Sequence, residues 1–114
     1  MLKRASEIGF ISFDKCHDGI GSLLCQSMLS HEDGSNDFSL FHFDILPPGV
    51  SIGEHVHNGH EEIYYLVEGE CTLIFDGEEL YMKSGDFSVC GGGHSHGIIN
   101  TGTADAKLIV VGGK

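Results

Sequence analysis

The sequence predicts an all-β protein, a sandwich or barrel of short strands. Glycine is abundant at 17 residues and proline is rare at two, and short apolar stretches recur about every eight to twelve residues. The long 3.6-residue apolar period of an amphipathic helix is absent. A chain of 114 residues is long enough to bury one hydrophobic core and too short for two. We therefore expect a single domain over residues 1–114.

The first three strands are predicted at residues 9–13, 22–28 and 38–46, which are rich in apolar and aromatic side chains. Between the second and the third lies the polar stretch SHEDGSND, residues 30–37, which predicts an exposed hairpin loop. The run PPG at residues 47–49 ends the third strand, because proline cannot donate a ladder hydrogen bond.

The next four strands are predicted at residues 51–57, 62–68, 71–75 and 78–82. Asp76-Gly77 lies between the apolar runs LIF and EELYM and is a strong hairpin signal. Glu68-Gly69-Glu70 predicts a second tight reversal, because glycine permits the backbone conformations that turns require.

The last three strands are predicted at residues 87–90, 96–99 and 106–111. The glycine run GGG at residues 91–93 separates the first two of them, and the polar run TGTAD separates the last two. Repeats, low-complexity segments and linkers are not evident in the sequence, which agrees with one domain.

The stretch EHVHNGHEE, residues 54–62, holds three histidines and three glutamates. His55 and His57 are two residues apart, so on a strand their side chains share a face, whereas in a helix they point in nearly opposite directions. Two imidazoles on one face can converge on one ion, and a neighbouring carboxylate can supply an oxygen ligand. The pattern indicates a metal site, and the alternative is a polar, solvated loop.

Two longer patterns contain these residues. The segment GVSIGEHVHNGHEEIYYLVEG reads Gly49, five residues, His55, one residue, His57, four residues, Glu62, six residues, Gly69. The segment GDFSVCGGGHSHGIIN reads Gly85, five residues, Gly91, one residue, Gly93, two residues, His96, three residues, Asn100. Together they resemble the two motifs of the cupin superfamily. One position departs, since Gly91 stands where the family usually has proline, and this predicts a looser turn before His96.

The resemblance implies a double-stranded β-helix, which is a small jelly-roll barrel. It also implies that a divalent metal ion is bound inside the barrel by His55, His57, Glu62 and His96. Strand geometry agrees with this set, because the first two residues share a strand face and the other two begin later strands. The ion can be iron, manganese, nickel or zinc. The alternative for these four side chains is a hydrogen-bonded polar core.

Other polar side chains near the motif are alternative candidates for metal ligands. His60 and Glu61 lie at the turn before Glu62, and either can replace it as a ligand, but the six-residue spacing to the next motif glycine favours Glu62. His17 and His42 are expected to be ordinary surface or packed histidines.

Catalytic residues do not follow from the sequence, but His94, Tyr64 and Glu61 are candidates. His94 is either a proton shuttle, a hydrogen-bond donor to one of the metal ligands, or a residue of the rim of the site. Tyr64 lies two residues beyond Glu62 and is expected to point inward and line the cavity, while Tyr65 faces outward.

The expected function is that of an enzyme acting on a small, oxygen-rich molecule that chelates the metal, by dioxygenation, isomerisation or decarboxylation. The alternative is a non-catalytic cupin that binds or senses a small molecule. A purely structural role, in which the metal only stabilises the barrel, is least favoured. A phosphorylated substrate is disfavoured, because the chain has one arginine and only Lys15, Lys83 and Lys107 away from its ends. A hydroxy acid or an enediol held by the metal suits this charge better.

Charge and composition limit the partners. The net charge of −11 repels phosphate backbones and anionic membranes, so neither nucleic acid nor a membrane is expected as a partner. Four cysteines without CxxC spacing and a start without a long apolar run indicate the cytoplasm. The run IGFISF and the outward residues of YYLV predict exposed apolar surface, and small cupins commonly pair, so we expect a homodimer.

Overall fold

A computed structural model of the protein describes residues 1–34 and 37–113. The strands in this part of the chain are β1 (Ile11–Asp14), β2 (Ser22–Ser27), β3 (Phe38–Leu46), β4 (Ser51–Val56), β5 (Glu61–Glu68), β6 (Glu70–Phe75), β7 (Glu78–Lys83), β8 (Phe87–Cys90), β9 (Ser95–Asn100) and β10 (Ala106–Gly113). Short 3-10 turns cover Ala5–Glu7, Cys16–Asp18 and His31–Asp33. Within the described residues, no helix has the length and apolar character needed to cross a membrane.

The strands form two antiparallel sheets that face each other. The larger sheet has the order β1-β2-β3-β10-β5-β8, and the smaller has the order β4-β9-β6-β7. The chain therefore passes from one sheet to the other between β3 and β4, and it crosses five more times by the start of β10. Such a double-sheeted arrangement is a jelly roll, and the predicted all-β, double-stranded β-helix is confirmed.

All ten predicted strands are present, and each boundary lies within two residues of its predicted position. The 3-10 turns were not predicted, because three residues are too few to show a helical apolar period. In the predicted loop at residues 30–37, Ser35 and Asn36 lie outside the described residues.

The predicted reversal at Glu68-Gly69-Glu70 is not a hairpin. The strands on either side of it, β5 and β6, belong to different sheets and do not pair with each other. Gly69 has φ of 105°, and a Cβ at this position would lie 3.0 Å from the backbone of Ala106. Glycine is therefore needed where the chain crosses between the sheets beside β10.

The predicted hairpin at Asp76-Gly77 is confirmed. Phe75 at the end of β6 pairs with Glu78 at the start of β7. Asp76 and Gly77 have φ of 48° and 80°, which are the positive values that a two-residue type I′ turn requires.

The hydrophobic core fills the space between the sheets. Its side chains include Leu46, Leu66 and Leu108 from the larger sheet and Ile52, Leu73 and Ile98 from the smaller one. The alternation predicted for β5 is confirmed, because Tyr64 is fully buried and Tyr65 is 41% exposed.

Candidate metal centre

Four side chains from three strands meet between the sheets. They are His55 on β4, His57 directly after β4, Glu62 on β5 and His96 on β9. One nitrogen or oxygen atom from each lies within 4.8 Å of the corresponding atoms of the others. All four are largely withdrawn from solvent, since even the His55 side chain is only 13% exposed.

The Glu62 carboxylate is at the centre of this cluster. Its Oε1 atom lies 3.7 Å from His55 Nε2, 3.6 Å from His57 Nε2 and 3.0 Å from His96 Nε2. The Nε2 atoms of His57 and His96 are 2.9 Å apart. The predicted set of four residues is therefore brought together at one point.

A bulge in β4 turns His55 toward this point. The pairing of β4 with β9 shifts register between Ile52 and His55, after which His55 pairs with His96. Side chains three positions apart on a regular strand face opposite sides, but Ile52 and His55 line the same cavity. Gly53 lies in the bulge, where a Cβ would collide with the carbonyl oxygen of His17.

His57 lies one residue beyond the end of β4, whereas the prediction placed it within the strand. Its backbone still pairs in both directions, since its N–H donates to the His94 carbonyl at 3.1 Å and its carbonyl accepts from the Gly93 N–H at 2.8 Å. These bonds hold the His57 ring on the same side as that of His55, so the predicted convergence is present although the strand is shorter.

Hydrogen bonds to the other ring nitrogens orient two of the imidazoles. His55 Nδ1 lies 2.8 Å from the Gly53 carbonyl oxygen, which can only accept, so Nδ1 carries the proton and Nε2 presents a lone pair to the cluster. His60 Nδ1 lies 3.0 Å from the Asn58 carbonyl oxygen, so His60 Nε2 accepts from His57 Nδ1 at 2.8 Å. His57 Nε2 is thereby also left as a lone pair facing the cluster.

The third imidazole is held by stacking. The ring of Tyr64 lies parallel to that of His96, with centroids 4.1 Å apart and an interplanar angle of 4°. His96 is fully buried, and its Nδ1 has no hydrogen-bond partner among the described residues. Stacking on Tyr64 and the hydrogen bond from His96 Nε2 to Glu62 Oε1 at 3.0 Å together set the ring orientation of His96.

The charges of the cluster are coupled. Burial works against the ionised form of Glu62, but the nearby imidazoles of His55, His96 and His57 outweigh it and hold the pKa of Glu62 well below its usual range. Burial lowers the pKa of His57, which favours its neutral form. Burial also opposes the charge of His55, but Glu62 and the Gly53 carbonyl raise its pKa. An anionic carboxylate thus faces imidazoles that can offer lone pairs.

These side chains fit a divalent cation. Atoms about 2.1 Å from an ion are about 3.0 Å apart at right angles and about 3.4 Å apart in a tetrahedron. The three distances from Glu62 Oε1 and the distance between His57 and His96 are 2.9 to 3.7 Å. His55 Nε2 is buried and has no hydrogen-bond partner within the described part of the chain. A set of three nitrogens and one oxygen suits iron, manganese, nickel or zinc.

A small cavity lies beside the cluster. It has a volume of about 70 Å³. Its walls are formed by Cys16, His17, Leu40, His42, Asp44, Ile52, His55, Glu62, Tyr64 and Val110. Because His55 and Glu62 belong to both the cluster and the cavity wall, a molecule in the cavity can reach an ion in the cluster.

The family follows from comparison with known proteins. Residues 42–112, which include all four cluster residues, match the family model of the cupin domain. The chain belongs to the cupin family. Cupins generally bind metal ions, in agreement with the cluster.

This cupin is similar to several known proteins. It is 37% identical over 111 residues to the oxalate-binding protein of Thermotoga maritima, across 97% of the chain and 92% of that relative. It is 36% identical to a predicted oxalate decarboxylase from Thermotoga maritima with a crystal structure, with a TM-score of 0.93 across 99% of the chain and 98% of that structure. A shorter match, 42% identical over 41 residues, covers 36% of the chain and 12% of the quercetin 2,3-dioxygenase of Bacillus subtilis.

The turn before His96, in which Gly91 replaces the usual cupin proline, is hydrogen-bonded on both sides. The N–H of His94 donates to the Gly91 carbonyl at 3.2 Å, and Gly93 is bonded to His57 as described above. A Cβ at position 91 would meet the Glu61 side chain at an ordinary contact distance of 3.6 Å. Hydrogen bonds therefore fix the turn without proline.

The other predicted candidates lie around the cluster in this cupin. Glu61 is exposed at the start of β5, and His60 contacts the cluster through His57 rather than joining it. The imidazole of His94 is bonded to Asp76 at 2.6 Å and is about half exposed, which places it at the rim. Glu62 is thus the acidic residue that enters the cluster.

One residue of the site was missed by sequence reasoning, which treated His17 as ordinary. Its ring stacks on that of His55, with centroids 3.7 Å apart and an interplanar angle of 13°. His17 has φ of 50°, and its neighbours Lys15 and Asp18 are also in the left-handed region. Strained backbone of this kind tends to occur at functional sites, but motif spacing gave no signal for it.

Proposed function

We propose that this cupin binds a small chelating acid of the oxalate class at a divalent metal ion held by His55, His57, Glu62 and His96. The observation that carries the proposal is the convergence of three imidazole nitrogens and one carboxylate beside a cavity that shares two of these residues. Oxalate is one of the small oxygen-rich anions that the scarcity of lysine and arginine favours, because the metal rather than a cationic side chain holds it.

Charge supports an anionic ligand. Three neutral imidazoles and one carboxylate leave a divalent ion with a net charge of +1, and a six-coordinate ion keeps two positions for ligand oxygens. When bound, the ion supplies Lewis-acid chemistry that polarises a carboxyl group, and redox chemistry if it is iron or manganese. The protein holds the ion-facing nitrogens as lone pairs, through the bonds from His55 to Gly53 and from His57 to His60.

The size of the cavity supports a compact ligand. The cavity of about 70 Å³ is several times larger than the roughly 10–15 Å³ that one water molecule needs, so it has room for a small molecule. Oxalate has six non-hydrogen atoms and chelates through two oxygens. Larger substrates such as sugars do not fit this volume without movement of the walls.

The relatives support the same ligand class. The Thermotoga maritima relative is named an oxalate-binding protein, the Thermotoga maritima crystal structure is described as that of a predicted oxalate decarboxylase, and both align with nearly the whole chain. The two names correspond to the binding and the catalytic alternatives for this cupin. Decarboxylation converts oxalate and a proton into formate and carbon dioxide, so it requires a proton donor near the ligand.

Calorimetry followed by turnover assays tests the proposal. The metal-loaded protein is titrated with oxalate and then incubated with it under air and under nitrogen. We expect binding that needs the metal, and formate under both atmospheres identifies a decarboxylase. Product formed only under air identifies an oxygenase, and binding without product identifies a binding protein. If oxalate and related chelating acids do not bind the metal-loaded protein, the proposed function is wrong.

We also propose that the protein is a homodimer formed through the outer apolar face of the larger sheet. This face carries the exposed side chains Leu24, Phe41, Ile63, Tyr65, Val67, Phe87 and Val89. Contiguous apolar surface of this kind marks an interaction site on soluble proteins. A second copy covers it symmetrically.

Light scattering at micromolar concentration is expected to give twice the chain mass of 12.3 kDa. Phe87→Asp, on the outer apolar face, is expected to yield the monomer, because the charge would be buried without a partner. Tyr81→Asp, at an exposed position of the smaller sheet, serves as the control and should remain dimeric. A monomer mass for the unsubstituted protein would rule out the dimer.

A further inference from the structure

Two polar atoms in the cavity wall lack partners. The hydroxyl of Tyr64 and the Oδ1 atom of Asp44 are buried, and neither has a hydrogen-bond partner among the described residues. Tyr64 is fully buried and Asp44 is 3% exposed. Buried polar groups are nearly always hydrogen-bonded in folded proteins. Because the two residues that carry these atoms both line one cavity, we infer that a molecule in the cavity supplies the missing partners.

The two side chains lie on one wall of that cavity. Asp44 is on β3 and Tyr64 is on β5, the two strands that flank β10 in the larger sheet. Val110 of β10 pairs with Tyr64, and Leu108 pairs with Asp44, so both side chains project from the inner face. Tyr64 stacks on His96, while Asp44 is farther along the same sheet. The wall thus extends from the metal cluster toward Asp44.

The surroundings of Asp44 shift its carboxyl group toward the neutral form. Cys25 lies directly opposite on β2, and its thiol is hydrogen-bonded to the carboxylate. Burial raises the pKa of Asp44, Cys25 and His42 lower it, and Glu62 raises it again, with a net rise. Cys16 of the cavity wall has its pKa raised to about 11 by burial, and so does not carry charge near neutrality. Lysine and arginine are absent from the described cavity wall.

We propose that the Tyr64 hydroxyl and the Asp44 carboxyl group bind the end of the ligand that lies away from the metal. The inference rests on the proposed function, because it takes a chelating acid to be the occupant of the cavity. Tyr64 donates a hydrogen bond to the far oxygens of the ligand, and the Asp44 carboxyl group, in its acid form, donates a second. The pair selects a compact dicarboxylate over a monocarboxylate, since only the former places oxygens at both ends.

Oxalate binding to metal-loaded variants tests the pair. Tyr64→Phe keeps the ring that stacks on His96 and removes only the hydroxyl, and Asp44→Leu keeps the branched shape and removes both oxygens. Each is expected to weaken oxalate binding in calorimetry at least about tenfold, as expected for a hydrogen bond to a charged group. Asp44→Asn keeps a donor and should bind within about threefold of the unsubstituted protein. Tyr65→Phe, on the outward face, is the matched control.

A stability measurement separates a ligand-binding role from a structural one. Without oxalate, Asp44→Leu is expected to raise the melting temperature, because it replaces a buried, incompletely bonded carboxyl group by an apolar side chain of similar shape. Higher stability together with weaker oxalate binding supports the proposal. A lower melting temperature with unchanged oxalate binding would show that Asp44 serves the fold, and would overturn it.

Metal content completes the test. Each variant should retain the metal of the unsubstituted protein, because neither side chain belongs to the cluster. If Asp44→Leu loses one metal ion per chain, the group formed by Cys25, His42 and Asp44 is a second metal site, and the proposal is wrong. Oxalate binding that is equal in all variants also overturns it, whereas failure of the unsubstituted protein to bind oxalate contradicts the proposed function itself.

Discussion

Replacing His57 by alanine is expected to lower the affinity of the protein for a divalent metal ion at least about tenfold. Substitution of residues that only hydrogen-bond to metal ligands already lowers metal affinity or activity about 10- to 100-fold. The His57 ring is buried, and its Nε2 atom lies 2.9 Å from that of His96. Its removal takes one of four donors from the cluster. The affinity is measured by competition with a chelator of known strength, with the metal content of the dialysed protein measured in parallel.

Two further variants serve as references for the metal affinity of His57→Ala. His94→Ala removes an imidazole bonded to Asp76 at the rim and should leave metal affinity unchanged. His60→Ala removes the acceptor that orients His57 and should have an intermediate effect. Equal metal uptake by the unsubstituted protein and His57→Ala would show that the site assignment is wrong.

Oxalate is expected to stabilise the metal-loaded protein by about 2.7 kcal/mol at a hundredfold excess over its dissociation constant, because it binds the folded state only. For a chain of this size, that corresponds to a rise in melting temperature of roughly 10 °C. The shift should disappear in the metal-free protein and in His96→Ala, which lacks a buried donor of the cluster.

Acetate, with one carboxylate, serves as the ligand control in the same thermal measurement and should give a much smaller shift. An equal shift by oxalate with and without metal would mean that the acid binds away from the cluster. The metal-dependent part of the shift is therefore the informative quantity.

Much of the fold could be predicted from local sequence, for identifiable reasons. The type I′ hairpin at Asp76-Gly77 follows from backbone conformations that few residues adopt. The inward position of Tyr64 and the outward position of Tyr65 follow from the two-residue period of a strand. The spacing of His55, His57, Glu62 and His96 indicated the cluster, because the motif fixes all four residues at once.

Other features depend on contacts between distant segments. The bulge between Ile52 and His55 changes which face His55 occupies, and strand periodicity alone cannot show it. His17 reaches the site because its segment packs on β4, where glycine at position 53 leaves room for the His17 carbonyl oxygen. Gly69 looked like a hairpin turn, although the chain there changes sheets. In each case the cause is tertiary packing.

The proposed ligand-binding role of Asp44 also depends on contacts between distant segments, which the sequence does not show. Its position in the apolar run FHFDIL places it on an inward face, but the sequence does not reveal that β5 brings Tyr64 to the same cavity. The missing hydrogen-bond partner of Asp44 Oδ1 is visible only when the surrounding side chains are in place.

The most direct test of the account is a crystal structure of the metal-loaded protein with oxalate, with the ion located by anomalous scattering. We expect one ion about 2.0–2.2 Å from a nitrogen of His55, His57 and His96 and an oxygen of Glu62. Two oxalate oxygens should complete its coordination from the cavity beside Tyr64. An ion bound elsewhere, or an ion in the cluster whose coordination is filled by the protein alone with oxalate outside the cavity, would contradict the account.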